Sequence, residues 1–140
     1  MLSIVIPVYN EEPTVHRILE KIRDVQLSVR KEIILVDDGS TDRSFERVKQ
    51  WIAENPLPEG DRIFQISKAN GGKGSAFREG CRVSSGDVVI IQDADLEYSP
   101  DDYVKCITPI LNGDAKVVYG SRELFSKNRR LHSSLMYYFG

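Results

Sequence analysis

The sequence predicts an α/β fold, a mainly parallel sheet with helices on both faces. Short apolar runs rich in β-branched residues alternate with longer stretches of helical periodicity, the pattern of successive βαβ units. Two of these runs, IILV at 33–36 and VVII at 88–91, are continuous, and the second reads as a strand buried on both faces of a parallel sheet. The runs end in polar or acidic residues, often followed by a helix-start signal, which gathers the loops at the C-terminal edge of the strands. A chain of 140 residues is one domain's worth and long enough for a real core.

Leu2–Val8 is the first strand, with Pro7 at its end, where a missing backbone N–H costs least. A polar loop, Tyr9-Asn10-Glu11-Glu12, follows. Pro13 suits a first helical position, and the stripe Val15, Ile18, Leu19, Ile22, Val25 predicts a helix over 13–26. The second strand is 32–37. Gly39 then permits a sharp turn, and Ser40, Thr41 or Asp42 can cap a helix whose buried face is Phe45, Val48, Trp51 and Ile52. Trp51 reads as packing. Residues 55–60, rich in proline, stop that helix. Arg62–Ser67 is a shorter, more polar strand, which places it near a sheet edge. The glycine-rich turn 68–74 opens a helix carrying Ala76, Phe77, Cys81 and Val83. Val88–Ile91 is the fourth strand. A helix over 101–111 contains Pro109, where a kink or early stop is expected. Asn112-Gly113 ends it, and 116–119 reads as a fifth strand.

Composition narrows the function. The formal net charge is −2, whereas a nucleic-acid binder normally shows a basic balance. The two cysteines, Cys81 and Cys106, are far apart on expected helices and read as small buried hydrophobes. With no apolar run of membrane-spanning length and no basic-then-apolar leader, the expected localisation is cytoplasmic.

The stretch 87–100 is chemically the richest. Asp93, Asp95 and Glu97 follow directly on an apolar strand. In an extended chain Asp93 and Asp95 lie on one side, and carboxylates that close repel unless a cation sits between them. A hard divalent ion such as Mg²⁺ or Mn²⁺ takes such oxygen ligands and completes its shell with phosphate and water. The same residues also read as a solvated acidic turn before a helix, and spacing alone leaves both readings open.

Three other nucleotide or hydrolase chemistries can be tested by motif. A dinucleotide fingerprint needs GxGxxG after the first strand, which is followed instead by the glycine-free PVYNEE. A phosphate-binding P-loop needs GxxxxGK and then Ser or Thr, but Lys73 is followed by Gly74. The hydrolase elbow GxSxG is absent. What remains is a set of strand-end residues: Tyr9 and Glu11, Asp37 and Asp38, Asp93 and Asp95. If the strand order reverses between the first and fourth strands, Glu11 and Asp93 flank the crevice at the switch point. Carboxylates reach phosphate only through a metal, but accept hydrogen bonds from a base or a ribose directly. A nucleoside diphosphate fits that division: Asp38 and Glu11 to base or ribose, Asp93 and Asp95 to a metal.

The segments SIVIPVYNEE (3–12), IILVDDGSTD (33–42), NGGKGSAFREG (70–80), GDVVIIQDADLE (86–97) and VVYGSR (117–122) resemble, in order and spacing, the successive motifs of family-two glycosyltransferases. The DADLE and GSR forms are most similar to the polyprenyl-phosphate hexosyltransferases, such as dolichyl-phosphate mannose synthase. The resemblance implies a GT-A fold, a Rossmann-like parallel sheet. It also implies an inverting, metal-dependent transfer of a hexose from a UDP- or GDP-sugar to an acceptor, foremost a polyprenyl phosphate. Pro7, Tyr9, Glu11, Val36 and Asp38 would line the base and ribose pocket. Asp93, Ala94 and Asp95 would form the DXD motif, with Asp95 the main ligand of Mg²⁺ or Mn²⁺ and Glu97 close by. Arg122 would face the diphosphate or the acceptor phosphate. Asp37 reads as a structural neighbour of Asp38. Lys73 reads equally as a sugar or phosphate contact and as a solvated helix-start lysine.

The resemblance also divides the chain. Residues 1–122 would be the nucleotide-sugar-binding part. Residues 123–140 would begin an acceptor-side region that family members continue further, so a catalytically silent donor-binding module is the alternative expectation. In that tail Lys127, Arg129 and Arg130 precede Leu131, Leu135, Met136, Tyr137, Tyr138 and Phe139. This is a candidate for peripheral contact with anionic lipid at the cytosolic face of a membrane. Its aromatic end is equally a candidate surface for a homodimer.

Overall fold

The structure is a computed structural model that describes residues 1–120. Four strands, β1 (Leu2–Val8), β2 (Lys31–Asp37), β3 (Arg62–Ser67) and β4 (Val88–Ile91), form one sheet in the order β3-β2-β1-β4. Every pairing is parallel. The helices are α1 (Val15–Asp24), α2 (Ser44–Glu54), α3 (Lys73–Val83) and α4 (Tyr103–Leu111), the last preceded by a single 3₁₀ turn at Pro100–Asp102. From β1 the chain steps outward through β2 to β3, then crosses back to the far side of β1. Right-handed crossovers in opposite directions put their helices on opposite faces, so α1 and α2 cover one face and α3 the other. The order reverses between β1 and β4, which makes the gap beyond their C-terminal ends the switch point.

Alternation along the strands builds two cores. Leu2, Ile4, Ile6 and Val8, with Ile33, Leu35 and Val88, pack against Val15, Ile18, Leu19 and Ile22 of α1, Val48 and Trp51 of α2, and Tyr103 and Ile107 of α4. On the opposite face Val5, Ile34 and Val36 pack under Ala76 of α3, with Phe64, Ile66 and Phe77 around them. Gly80 lets α3 approach this face. A Cβ added there would stand 2.3 Å from Val5 Cγ1 and 3.3 Å from Val36 Cγ2. Gly80→Ala therefore sets a helix-propensity gain of about 1 kcal/mol against an overpacking cost of about 1–3 kcal/mol. The close backbone packing decides for the cost. A lower urea midpoint with an unchanged m-value is the expected result.

Several expected boundaries shift for local reasons. The first helix begins at Val15, since the Thr14 and Val15 N–H groups both return to Glu11 O and close a turn around Pro13. It ends at Asp24, where the buried Lys31 ammonium donates to the carbonyls of Ile22, Arg23 and Val25 and caps the helix. Asp42 supplies the acceptor for α2, its Oδ1 receiving the Ser44 N–H at 2.9 Å. Pro109 neither kinks α4 to a stop nor shortens it. It lies in the last turn, where one lost hydrogen bond is tolerated, and the helix runs on to Leu111. Cys81 and Cys106 are free and half-buried rather than fully buried.

Two expectations about strands are corrected. Val88–Ile91 is not buried on both faces. Its inward residues reach the first core, but Val89 and Ile91 are 39% and 43% exposed, because α3 lies over β1 and β2 instead. Residues 116–119 form no strand. A strand needs a neighbour to receive its hydrogen bonds, none of the described strands pairs with this segment, and Val117 and Tyr119 stand exposed. Among the described residues, no helix is long and apolar enough to cross a membrane.

Candidate functional site

A cleft of about 350 Å³ opens at the switch point. The end of β1 and its loop contribute Pro7, Val8, Tyr9 and Glu11, and the end of β2 contributes Asp38. The glycine-rich turn before α3 adds Asn70, Gly72 and Lys73, and the end of β4 adds Asp93, Ala94 and Asp95. The lining is acidic, with four carboxylates against the single ammonium of Lys73.

The loop after β1 is held rigidly. Asn10, at φ 56°, turns its side-chain oxygen to the N–H groups of Thr41 and Asp42 at 2.8 and 3.3 Å. The Glu11 N–H donates to Ser44 Oγ and the Glu12 N–H to Asp42. These bonds tie the β1 and β2 loops together. Glu11 accepts from Thr14 Oγ1 at 2.6 Å, which orients its carboxylate, and Tyr9 leaves its ring half-exposed at the rim.

Asp38 has a different setting from the one its position implies. It is nearly fully buried, and its oxygens accept from the Lys68 ammonium at 2.5 Å and from the N–H groups of Gly71 and Gly72 at 3.0 and 2.7 Å. Burial is the largest influence on its pKa and pushes it up. The hydrogen bonds from Lys68, Gly71 and Gly72 together outweigh it and leave the carboxyl below its ordinary value. Asp38 therefore tethers the glycine-rich turn as well as facing the cleft. Gly39 allows the contact: at φ +75° it brings its backbone against Asn70, whose N would lie 2.9 Å from an added Cβ. Asp37 is structural, accepting from the Ser40 N–H and the Ser67 hydroxyl.

The acidic turn after β4 is aimed by a residue the motif does not include. Gln92, 2% exposed, donates from Nε2 to the carbonyls of Asp93 and Tyr98 and accepts at Oε1 from the Tyr103 hydroxyl at 2.7 Å. Leu96 takes φ 68° within this turn, a left-handed conformation rare for leucine, while its side chain packs against the core. Asp95 Oδ1 accepts the Glu97 N–H at 3.0 Å, and Asp93 Oδ1 receives the Lys73 ammonium at 2.5 Å.

Of the residues expected in the site, Pro7, Tyr9, Glu11, Asp38, Asp93, Ala94 and Asp95 meet in this cleft. Val36 does not. Strand pleating turns it into the core under α3, fully buried. Glu97 is exposed and does not line the cleft. Arg122 and the basic, aromatic tail lie outside the described residues. Sequence reasoning missed Val8, Asn70, Gly72 and the supporting Lys68 and Gln92. The only available signals were a glycine-rich turn and a polar residue at the end of an apolar run.

A resident divalent ion fits this donor set in part. Among the described residues there is no group of three His, Cys, Asp or Glu side chains that could hold a metal. Asp93 and Asp95 do offer two hard oxygen donors, and Asp93 already binds a cation in the form of Lys73. Mg²⁺ and Mn²⁺ sites in nucleotide enzymes commonly use one or two carboxylates and complete the shell with phosphate and water.

Comparison with known proteins agrees with this architecture. The model of the family described as Glycosyl transferase family 2 matches residues 3–136. The dolichol-phosphate mannosyltransferase of Pyrococcus furiosus is 32% identical over 121 residues, which cover 86% of this chain and 33% of that protein. An undecaprenyl-phosphate 4-deoxy-4-formamido-L-arabinose transferase of Pectobacterium carotovorum is 39% identical over 108 residues, 76% of this chain and 32% of the relative. This chain thus spans about a third of the length of the curated relatives it matches. Among solved structures, a mannosyltransferase from Pyrobaculum calidifontis in complex with GDP-Man and Mn²⁺ superposes with a TM-score of 0.64 at 28% identity, over 74% of this chain and 30% of that one. Glucosyl-3-phosphoglycerate synthase from Mycobacterium tuberculosis, solved with Mn²⁺, UDP-glucose and phosphoglyceric acid, does so with a TM-score of 0.61 at 28% identity, over 81% and 40%. A parallel GT-A sheet, acids gathered at its switch point and a family match over nearly the whole length lead to one assignment: the chain belongs to glycosyl transferase family 2.

Proposed function

We propose that this chain forms the donor side of an inverting, metal-dependent glycosyltransferase that moves a hexose from a UDP- or GDP-sugar to a polyprenyl phosphate. The observation that carries the reading is the meeting of Glu11, Asp38, Asp93 and Asp95 in one cleft at the switch point. The relatives named for dolichol-phosphate and undecaprenyl-phosphate transfer support the acceptor class. The neighbours crystallised with GDP-Man or UDP-glucose and Mn²⁺ support the donor class and the ion.

In this reading Pro7 and the Tyr9 ring flank the base. Glu11 accepts from ribose hydroxyls. Asp38, whose carboxylate keeps acceptor capacity beyond its three internal donors, accepts from a base N–H. Asp93 and Asp95 would hold the divalent ion, which when bound neutralises charge developing on the leaving diphosphate. Gln92 keeps the Asp93–Tyr98 turn aimed at the cleft. A phosphate acceptor is already anionic at neutral pH, so a single displacement at the anomeric carbon needs little help from a general base. Residues 1–122 make up the donor part in this reading. Arg122 would face the diphosphate or the acceptor phosphate, and the basic stretch of 123–140 would begin the acceptor side and meet anionic lipid at the cytosolic face of a membrane.

A donor-binding unit without transfer activity of its own is the second reading, since the cleft formed by the described residues accounts for donor binding alone. Calorimetric titration with UDP and GDP tests what both readings share. Binding is expected in Mn²⁺ and lost in chelator; equal affinity in the two removes the metal-dependent reading. Transfer of radiolabelled sugar to polyprenyl phosphate then separates an enzyme from a silent module.

A further inference from the structure

Lys73 is the first residue of α3, and its backbone is anchored. The two N–H groups before it, on Gly71 and Gly72, are both bound to Asp38. From this root its side chain crosses the cleft to Asp93 Oδ1 at 2.5 Å. The neighbouring lysine makes an instructive contrast. Lys68, also 2.5 Å from its carboxylate, is only 21% exposed and pairs with an Asp38 side chain that is 4% exposed. Lys73 is 60% exposed and Asp93 22%. One lysine is built into the wall, while the other leans across open solvent and is free to leave.

We infer that Lys73 is an exchangeable counter-ion that occupies Asp93 when no donor is bound and passes to the donor's diphosphate when the divalent ion arrives, which rests on the donor-site reading of this cleft. Asp93 and Asp95 face the same space, and two carboxylates there require positive charge. The Lys73 ammonium supplies it at Asp93. An ammonium and a divalent ion on the same carboxylate repel each other, so an ion entering alone must displace Lys73 with nothing to receive the displaced charge. An ion entering with a diphosphate brings the receiver, since phosphate oxygens accept readily from an ammonium. Lys73 thereby makes ion binding and donor binding cooperative. By reciprocity the same coupling loosens the ion once the diphosphate departs. Lys73 is in this sense a positioning residue for the order of binding, and its role differs from that of an ordinary phosphate contact, which would leave binding of the ion alone unchanged.

The test reads free Mn²⁺ by electron paramagnetic resonance during titration of the full chain, alone and with saturating UDP or GDP. Lys73→Met is expected to bind Mn²⁺ alone about three- to fivefold more tightly than wild type, the scale of an exposed ion pair. The gain in Mn²⁺ affinity that nucleotide brings should fall by at least that factor. Lys73→Arg keeps the charge and is expected to behave as wild type. So is Lys105→Met, which removes a remote ammonium paired with Asp102 on the surface. If wild type binds Mn²⁺ with nucleotide, and Lys73→Met binds Mn²⁺ alone no more tightly than wild type, the counter-ion role is overturned and the donor-site reading stands. If wild type binds no Mn²⁺ even with nucleotide, both are overturned. Circular dichroism of each variant confirms the fold, which a half-exposed side chain at a helix start does not support.

Discussion

Asp95→Asn is expected to weaken Mn²⁺-dependent binding of a nucleoside diphosphate by on the order of 100-fold, since in the proposed reading it takes the charge from one of the two carboxylates that would hold the ion. The substitution isolates that charge. Asp95 Oδ1 accepts the Glu97 N–H at 3.0 Å, and asparagine retains an oxygen for this bond, so the turn keeps its shape. Asp93→Asn is a less clean test because it also releases Lys73. Glu97→Gln, at an exposed position outside the cleft lining, keeps the backbone N–H that Asp95 accepts and is expected to have a much smaller effect than Asp95→Asn. Calorimetry with Mn²⁺ and with chelator gives both values. A wild-type affinity for Asp95→Asn would remove the Asp93/Asp95 pair from the mechanism.

Glu32→Ala is expected to lower stability by about 2–3 kcal/mol without touching the site. Glu32 lies at the opposite, N-terminal end of the sheet and is almost fully buried. It accepts from Ser3 Oγ at 2.5 Å and from the N–H and hydroxyl of Ser85 at 2.8 Å each, and Arg62 stands 2.7 Å away. This one carboxylate ties β1, β2, β3 and the turn before β4. The ion pair with Arg62 contributes little, because Arg62 is half-exposed. The larger cost comes from leaving the buried Ser3 hydroxyl and the Ser85 groups without their acceptor. At about 4 °C per kcal/mol for a domain of this size, the melting temperature should fall by roughly 10 °C, while Arg62→Ala should cost less than about 1 kcal/mol.

The same residue sets part of the acid sensitivity. Burial is the largest influence on the Glu32 pKa and raises it. The hydrogen bonds from Ser3 and Ser85, with the charge of Arg62, together lower it further, so the carboxyl titrates below its ordinary 4.5. A depressed pKa contributes stability that is complete above the unfolded value and is lost as pH falls through the folded one. Stability should therefore hold above about pH 5 and decline below 4.5, with Asp38 and Asp42, both also lowered, adding to the decline below 3.8. Urea midpoints measured from pH 6 to pH 3 should show a shallower slope for Glu32→Gln.

Most of the architecture was legible in the chain. Continuous apolar runs at 33–36 and 88–91 marked parallel strands, and the stripe from Val15 to Ile22 marked α1, because these periodicities arise within ten residues or so. Strand-end acids could be recognised for the same local reason, and seven of the expected site residues do share the cleft. The misreadings came where a neighbour decides. Val36 has the same β-branched character whether it faces a ligand or a helix, and only α3 settled which. Val89 and Ile91 look like core, yet no described helix covers them. Residues 116–119 have strand composition, but none of the described strands pairs with them.

What the sequence by itself determined was the order of strands and helices and the placing of carboxylates at the ends of three strands. The tertiary structure alone decided how those carboxylates are used. It turned Asp38 onto Lys68 and the Gly71 and Gly72 N–H groups, carried Lys73 across to Asp93, and set Gln92 beneath the acidic turn through Tyr103. All of these contacts join residues 11 to 34 positions apart, and the one from Lys73 to Asp93 depends on β4 crossing back beside β1. Short-range backbone preferences specify elements, but which charges end up sharing a cleft follows from the order in which the sheet is assembled.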